Sequence, residues 1–146
     1  MSNPIVFEWD SALETGYEKI DNQHIQLFAT VNNLVEAGAS GKGSSVVMDV
    51  LEFLFDYVAK HFSDEEQLME SYEYPDYLNH KRIHDDFKAT AGELIHQVSM
   101  EGPSEENIDR VVTVASEWLL KHIRGDDFRM ATFVKAADAR ARPGSK

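Results

Sequence analysis

The residues of this chain with the most chemistry to offer are its histidines, which recur with carboxylates at helical steps. His61 is followed four places later by Glu65 in HFSDEE, and His80 by His84 in HKRIH. His24 closes IDNQH, and His122 opens HIRGDD. Side chains one turn apart share a helix face, so each pair can aim two donors at one point. Cysteine is absent, which removes disulfides, thiolate zinc sites and iron–sulfur clusters and leaves imidazole and carboxylate to hold any metal. A zinc-protease site is excluded as well, because HKRIH carries Lys81 where HExxH places its general base. Five imidazoles and a few carboxylates exceed the needs of one ion and suit two first-row ions, iron among them. Two such cations repel each other, so anions must bridge them, and Glu65 is one candidate. The second comes from HIRGDD, where two choices stand open. Asp126 shares the face of His122 in a regular helix. Asp127 lies about 140° away and reaches the same point only if the helix widens or ends near Gly125.

These residues need a frame, and the apolar spacing supplies one that is helical almost throughout. A first helix, from about Tyr17 to Ala37, aligns Ile20, His24, Leu27, Phe28, Val31, Leu34 and Val35. A second, from about Ser45 as N-cap to Tyr72, aligns Val47, Val50, Leu51, Leu54, Val58, His61, Glu65, Leu68 and Met69. After Pro75 a third runs to about Met100, with Tyr77, His80, His84, Phe87, Ala91, Leu94 and Val98 inward. Ser104 is the expected N-cap of a fourth, which carries Ile108, Val111, Val112, Ala115, Leu119 and His122. Gly125 interrupts it, and a short helix follows to about Ala137. Each histidine set therefore lies on an apolar stripe. One buried polar group per bundle is ordinary, at a cost of roughly 1–3 kcal/mol unless it is paired. Six converging from four helices require a common partner. Glu93 and His96 make one Glu-x-x-His match of the kind found in carboxylate-rich di-iron bundles, but Glu93 falls off the stripe and the pair reads as solvated.

The expected fold class is all-α: an antiparallel up-down-up-down four-helix bundle with an N-terminal arm and a short C-terminal helix. Residues 1–16 form the arm, with Phe7 and Trp9 as packing contacts. Residues 17–138 form the bundle, and residues 139–146 are expected to be a disordered tail. A formal charge of −12 opposes nucleic acid and anionic membranes as partners. Neither a signal segment nor an apolar run of the ~20 residues that span a bilayer is visible, so a soluble cytoplasmic protein is expected.

The four motifs, in this order and spacing, resemble the hemerythrin family, specifically its single-domain bacterial members, from about Trp9 to Phe133. The family pattern H-x-x-x-E, H-x-x-x-H and H-x-x-x-x-D selects Asp127 over Asp126. The resemblance implies one iron held by His80, His84 and His122 and another by His24 and His61. Glu65, Asp127 and a solvent-derived oxo or hydroxo group would bridge the two ions. The two-histidine iron would keep an open position for O2, walled by Phe28, Phe62, Trp118, Leu119 and Ile123. Many bacterial members carry a tyrosine three residues after the aspartate, where this chain has Met130. The implied activity is reversible O2 binding, for storage or for delivery to an oxygen-using protein partner, rather than enzyme catalysis. Alternatives are an O2- or redox-sensing module, a di-iron protein handling peroxide or nitric oxide, and a metal store.

Overall fold

The computed structural model describes Trp9, residues 11–39 and residues 43–140, and among these it is helical with no strand. A 3-10 turn at Ser11–Leu13 precedes α1 (Glu18–Ala39), α2 (Ser44–Ser71), α3 (Tyr77–Glu101) and α4 (Glu105–His122). A π-helical segment, Ile123–Asp127, joins α4 to α5 (Phe128–Arg140). Helix α1 packs against α2 and α4, and α3 packs against α2 and α4, which makes the four-membered bundle expected from the periodicity. Phe7 and most of the expected tail lie outside the described residues.

Local chemistry fixes where the helices begin. Ahead of α1, the Asp21 carboxylate accepts from Thr15 N–H at 2.8 Å and Gly16 N–H at 3.1 Å, folding the arm back on the first turn. Gly16 has φ +82°, in the left-handed region that glycine enters without strain. Helix α2 starts with its N-cap two residues earlier than expected. Gly43, not Ser45, occupies the N-cap, in extended conformation and with no side-chain cap, while Ser45 is exposed within the first turn. The free backbone donors of Val46 and Val47 turn instead to the Gly43 carbonyl. Ser104 does cap α4 as expected, its hydroxyl accepting from Asn107 N–H at 3.1 Å, with Glu105 and Glu106 in the first turn.

The buried side chains form two apolar clusters. The larger joins Leu27, Val31, Leu34, Leu51, Leu54, Val58, Phe87, Val111 and Val112 with their neighbours. The smaller gathers Ile20, Met69, Met130, Ala131 and Val134, so α5 closes this second cluster over α1 and α2. Met130 is fully buried there as an apolar packing residue. The Tyr72 hydroxyl donates to Asp138 and so fastens α5 to the end of α2. Along α1 the polar His24 lies between Ile20 of one cluster and Leu27 of the other, and along α2 His61 and Glu65 lie between Val58 and Met69.

The junction of α4 and α5 is the least regular part of the fold. Phe128 N–H bonds to the Ile123 carbonyl, five residues back, as well as to Gly125, and the chain continues helical on both sides. Gly125 does not have a positive φ, and a Cβ built on it would meet only Arg129 Nη1 at 3.7 Å, an ordinary contact. The wider turn is thus not a steric demand of glycine. Gly125→Ala is expected to keep the π turn and to raise stability by about 0.5–1 kcal/mol, read as a small rise in Tm. A loss of stability would show that the turn does require glycine.

Candidate metal centre

Each helix of the bundle contributes to one buried polar cluster: His24 from α1, His61 and Glu65 from α2, His80 and His84 from α3, and His122 from α4. Asp127, at the end of the π segment, completes it. The extra residue in that turn decides between the two aspartates. Asp127 is fully buried and faces the histidines, whereas Asp126 is half-buried, pairs with Arg129 and, of the histidines, meets only His122, at its outer nitrogen Nδ1, at 3.0 Å.

The donor atoms divide into two groups that share both carboxylates. Glu65, His80, His84, His122 and Asp127 form one, and His24, His61, Glu65 and Asp127 form the other. In the first, His84 Nε2 and His122 Nε2 are 3.0 Å apart, and His122 Nε2 and His80 Nε2 each lie 3.1 Å from Asp127 Oδ1. Glu65 Oε1 is 3.2 Å from His84 Nε2 and 3.4 Å from His80 Nε2. In the second, His61 Nε2 is 2.9 Å from Glu65 Oε2, and His24 Nε2 is 2.9 Å from Asp127 Oδ2. Each carboxylate therefore turns one oxygen to each group. Donors about 2.0–2.2 Å from a common ion and at right angles to one another lie about 3 Å apart, the spacing seen here.

A second observation bears on whether these residues suit metal ions. Both oxygens of Glu65, both of Asp127, Nε2 of His80 and both nitrogens of His24 are buried without a good hydrogen-bond partner. Unmet polar atoms in such number are costly in a folded protein, and two cations would satisfy the inward-facing ones together. The donor set fits two first-row ions. His96, by contrast, is exposed, as is Glu93, in keeping with a solvated pair.

Outer contacts orient the rings, and the sequence did not reveal them. His61 Nδ1 bonds to Gln23 Oε1 at 2.7 Å, and Gln23 Nε2 donates to Asp64 at 2.7 Å. His84 Nδ1 bonds to Glu66 at 2.9 Å. Gln23 and Glu66 adjoin His24 and Glu65 in sequence, yet each serves a histidine on a different helix, a pairing that no local spacing signals.

Among the five residues expected to wall the site, Phe62 lies flat on His84, with ring centres 3.9 Å apart and an angle of 2°. Trp118 stacks on His122 at 4.4 Å. Both contacts are with the three-histidine group. On the two-histidine side, Trp9 lies 6.3 Å from His24 and 5.9 Å from Phe28. Leu119 and Ile123 are buried in the larger apolar cluster. A narrow crevice lined by Lys19, Ile20, Gln23, Asp64, Glu65 and Leu68 approaches the cluster between α1 and α2.

Fold and site together define a helix-bundle protein with a buried histidine–carboxylate cluster that could hold two cations. A family model, the hemerythrin HHE cation binding domain, matches residues 15–134. The chain belongs to the hemerythrin family. It is 37% identical over 126 residues to a myohemerythrin from Theromyzon tessulatum, covering 86% of this chain and 92% of that protein. It is 36% identical over 128 residues to a bacteriohemerythrin from Stenotrophomonas maltophilia, covering 88% and 81%. A wild-type hemerythrin crystal structure superimposes with a TM-score of 0.79 at 30% identity, over 89% of this chain and 98% of that one. No helix among the described residues is long and apolar enough to cross a membrane.

In the metal-free protein the two carboxylates and three of the histidines, His24, His80 and His122, hold one another in charged form. Burial alone would lower His24, His80 and His122, but the close negative charge of Asp127 and Glu65 (and of Asp126 at His122) raises each from 6.5 to about 9. Burial alone would raise Glu65 and Asp127, yet the surrounding imidazoles hold both well below the usual carboxylate range. The raised histidines add stability that is complete below pH 6.5 and disappears as pH rises through about 9. The lowered carboxylates add stability that is present above about pH 4 and lost at lower pH. Metal-free protein is therefore expected to be most stable from roughly pH 4.5 to 6.5 and to lose several degrees of Tm by pH 9. Zinc- or iron-loaded protein should not lose Tm over that rise, because metal replaces the protons. Parallel thermal melts across pH would show it, and a flat metal-free profile would contradict it.

Proposed function

We propose that the chain binds O2 reversibly at a di-iron centre, for storage or for delivery to an oxygen-using protein. His80, His84 and His122 would hold one iron, His24 and His61 the other, with Glu65 and Asp127 bridging. The observation that carries this reading is the division of both carboxylates between a set of three imidazoles and a set of two. A five-donor group beside a four-donor group gives one ion a fuller shell and leaves the other room for a ligand. When bound, two ferrous ions supply the two electrons that O2 takes up and returns.

The protein residues do the rest. Five neutral imidazoles against two carboxylates leave net positive charge on the pair, which favours the ferrous state and binding over oxidative turnover. Phe28, Phe62, Trp118, Leu119 and Ile123 would exclude water and so slow proton-assisted loss of reduced oxygen. Met130 adds an apolar side chain to the smaller cluster and no hydroxyl. The likeness to hemerythrins, myohemerythrin and bacteriohemerythrin supports the same conclusion.

Anaerobic reduction of iron-loaded protein followed by air is expected to produce a visible charge-transfer band that fades on degassing and returns with fresh O2. His61→Ala should fold yet lose this cycle; normal reversible oxygenation in that variant would refute the ligand assignment. The two aspartates separate by metal content. Asp127→Ala should hold fewer than two irons per chain, while Asp126→Ala, which removes an outer contact of His122 and an ion pair with Arg129, should still hold two. Equal iron content in the two variants would sink the assignment of the bridge.

A further inference from the structure

The two histidine sets differ in what stands behind them. In the three-histidine set, the outer nitrogens of His84 and His122 each face a carboxylate, Glu66 at 2.9 Å and Asp126 at 3.0 Å. In the two-histidine set, His61 Nδ1 faces the neutral amide oxygen of Gln23 at 2.7 Å, and His24 Nδ1 is buried with no hydrogen-bond partner. Every Nε2 that enters the cluster as an electron-pair donor leaves its hydrogen on Nδ1, so these outer contacts run from imidazole N–H to the acceptor. A carboxylate acceptor draws that hydrogen toward itself and makes the inner nitrogen a stronger donor to metal. An amide does so weakly, and a missing partner not at all.

Negative charge is not lacking near His61; it is held one step farther out. Gln23 Nε2 donates to Asp64, and Asp64 is paired with Lys60 at 2.9 Å. The two groups also offer five donor residues against four. Both differences act in the same direction.

Building on the dinuclear centre proposed above, we infer that the chain takes up its two ions unequally. The His80–His84–His122 set fills first and holds its ion more tightly, and the His24–His61 set fills second. Glu66 and the Gln23–Asp64 pair are positioning residues that set the difference. Under limiting iron a one-ion form accumulates, and the more exchangeable ion is the one with fewer protein donors.

The test is an anaerobic titration of metal-free protein with Fe(II), and with Co(II) as a coloured probe, followed by calorimetry and absorbance. Two uptake steps at least about tenfold apart in affinity are expected. Glu66→Gln should weaken the first step by about 10–100-fold. The charge-conserving double variant Gln23→Glu/Asp64→Asn moves the carboxylate onto the residue that touches His61 while an amide still faces it. It should tighten the second step by about tenfold, a gain that disturbed packing cannot produce. A single indistinguishable step for both ions, or no tightening in the double variant, overturns the inference and leaves the dinuclear centre standing. Saturation of the unmutated protein at one ion overturns the dinuclear centre itself, and this inference with it.

Discussion

Two carboxylates buried in the middle of a helix bundle must be met by positive charge, and much of this molecule is arranged around that requirement. Glu65 and Asp127 have essentially no contact with solvent. An isolated buried carboxylate is far more costly than any single packing contact can offset, so the imidazoles around it are a necessity of the fold as well as candidate ligands for metal. Because those imidazoles come from four helices, the polar layer also fixes the register of each helix against its neighbours. The apolar clusters that flank the layer supply the hydrophobic driving force, and they do so without metal.

The frame was legible because it rests on periodicity. Histidines on apolar stripes at one-turn steps predict a shared interior face, and the structure brings together all seven residues named from the motifs. What the residues alone left open was the path between His122 and the second carboxylate. A spacing of four is the regular choice and five the irregular one. The irregular one places its carboxylate inward because the backbone widens into a π turn, a change with no signature in composition beyond a glycine that merely tolerates it. Resemblance to a family pattern, not helix geometry, pointed to Asp127, the aspartate the structure buries.

Contacts between helices were invisible for a different reason. Gln23 lies next to one metal-ligand candidate in sequence but bonds to another on the adjacent helix, and Glu66 behaves in the same way. Such partners depend on the rotation of one helix about its axis relative to the next. The aromatic wall shows the same effect. Phe62 and Trp118 sit at positions that flank the site, yet their rings face the three-histidine group. Trp9, which reaches the other group from the arm, could be read from the sequence only as a packing residue.

That distribution of indoles has a practical side. The chain has two tryptophans. Trp118 is stacked on His122, and Trp9 stands beside His24, so each half of the centre has its own native fluorophore at ring-contact range. With one indole at a time replaced by phenylalanine, the emission of the other is thus a record of its own half, without a dye.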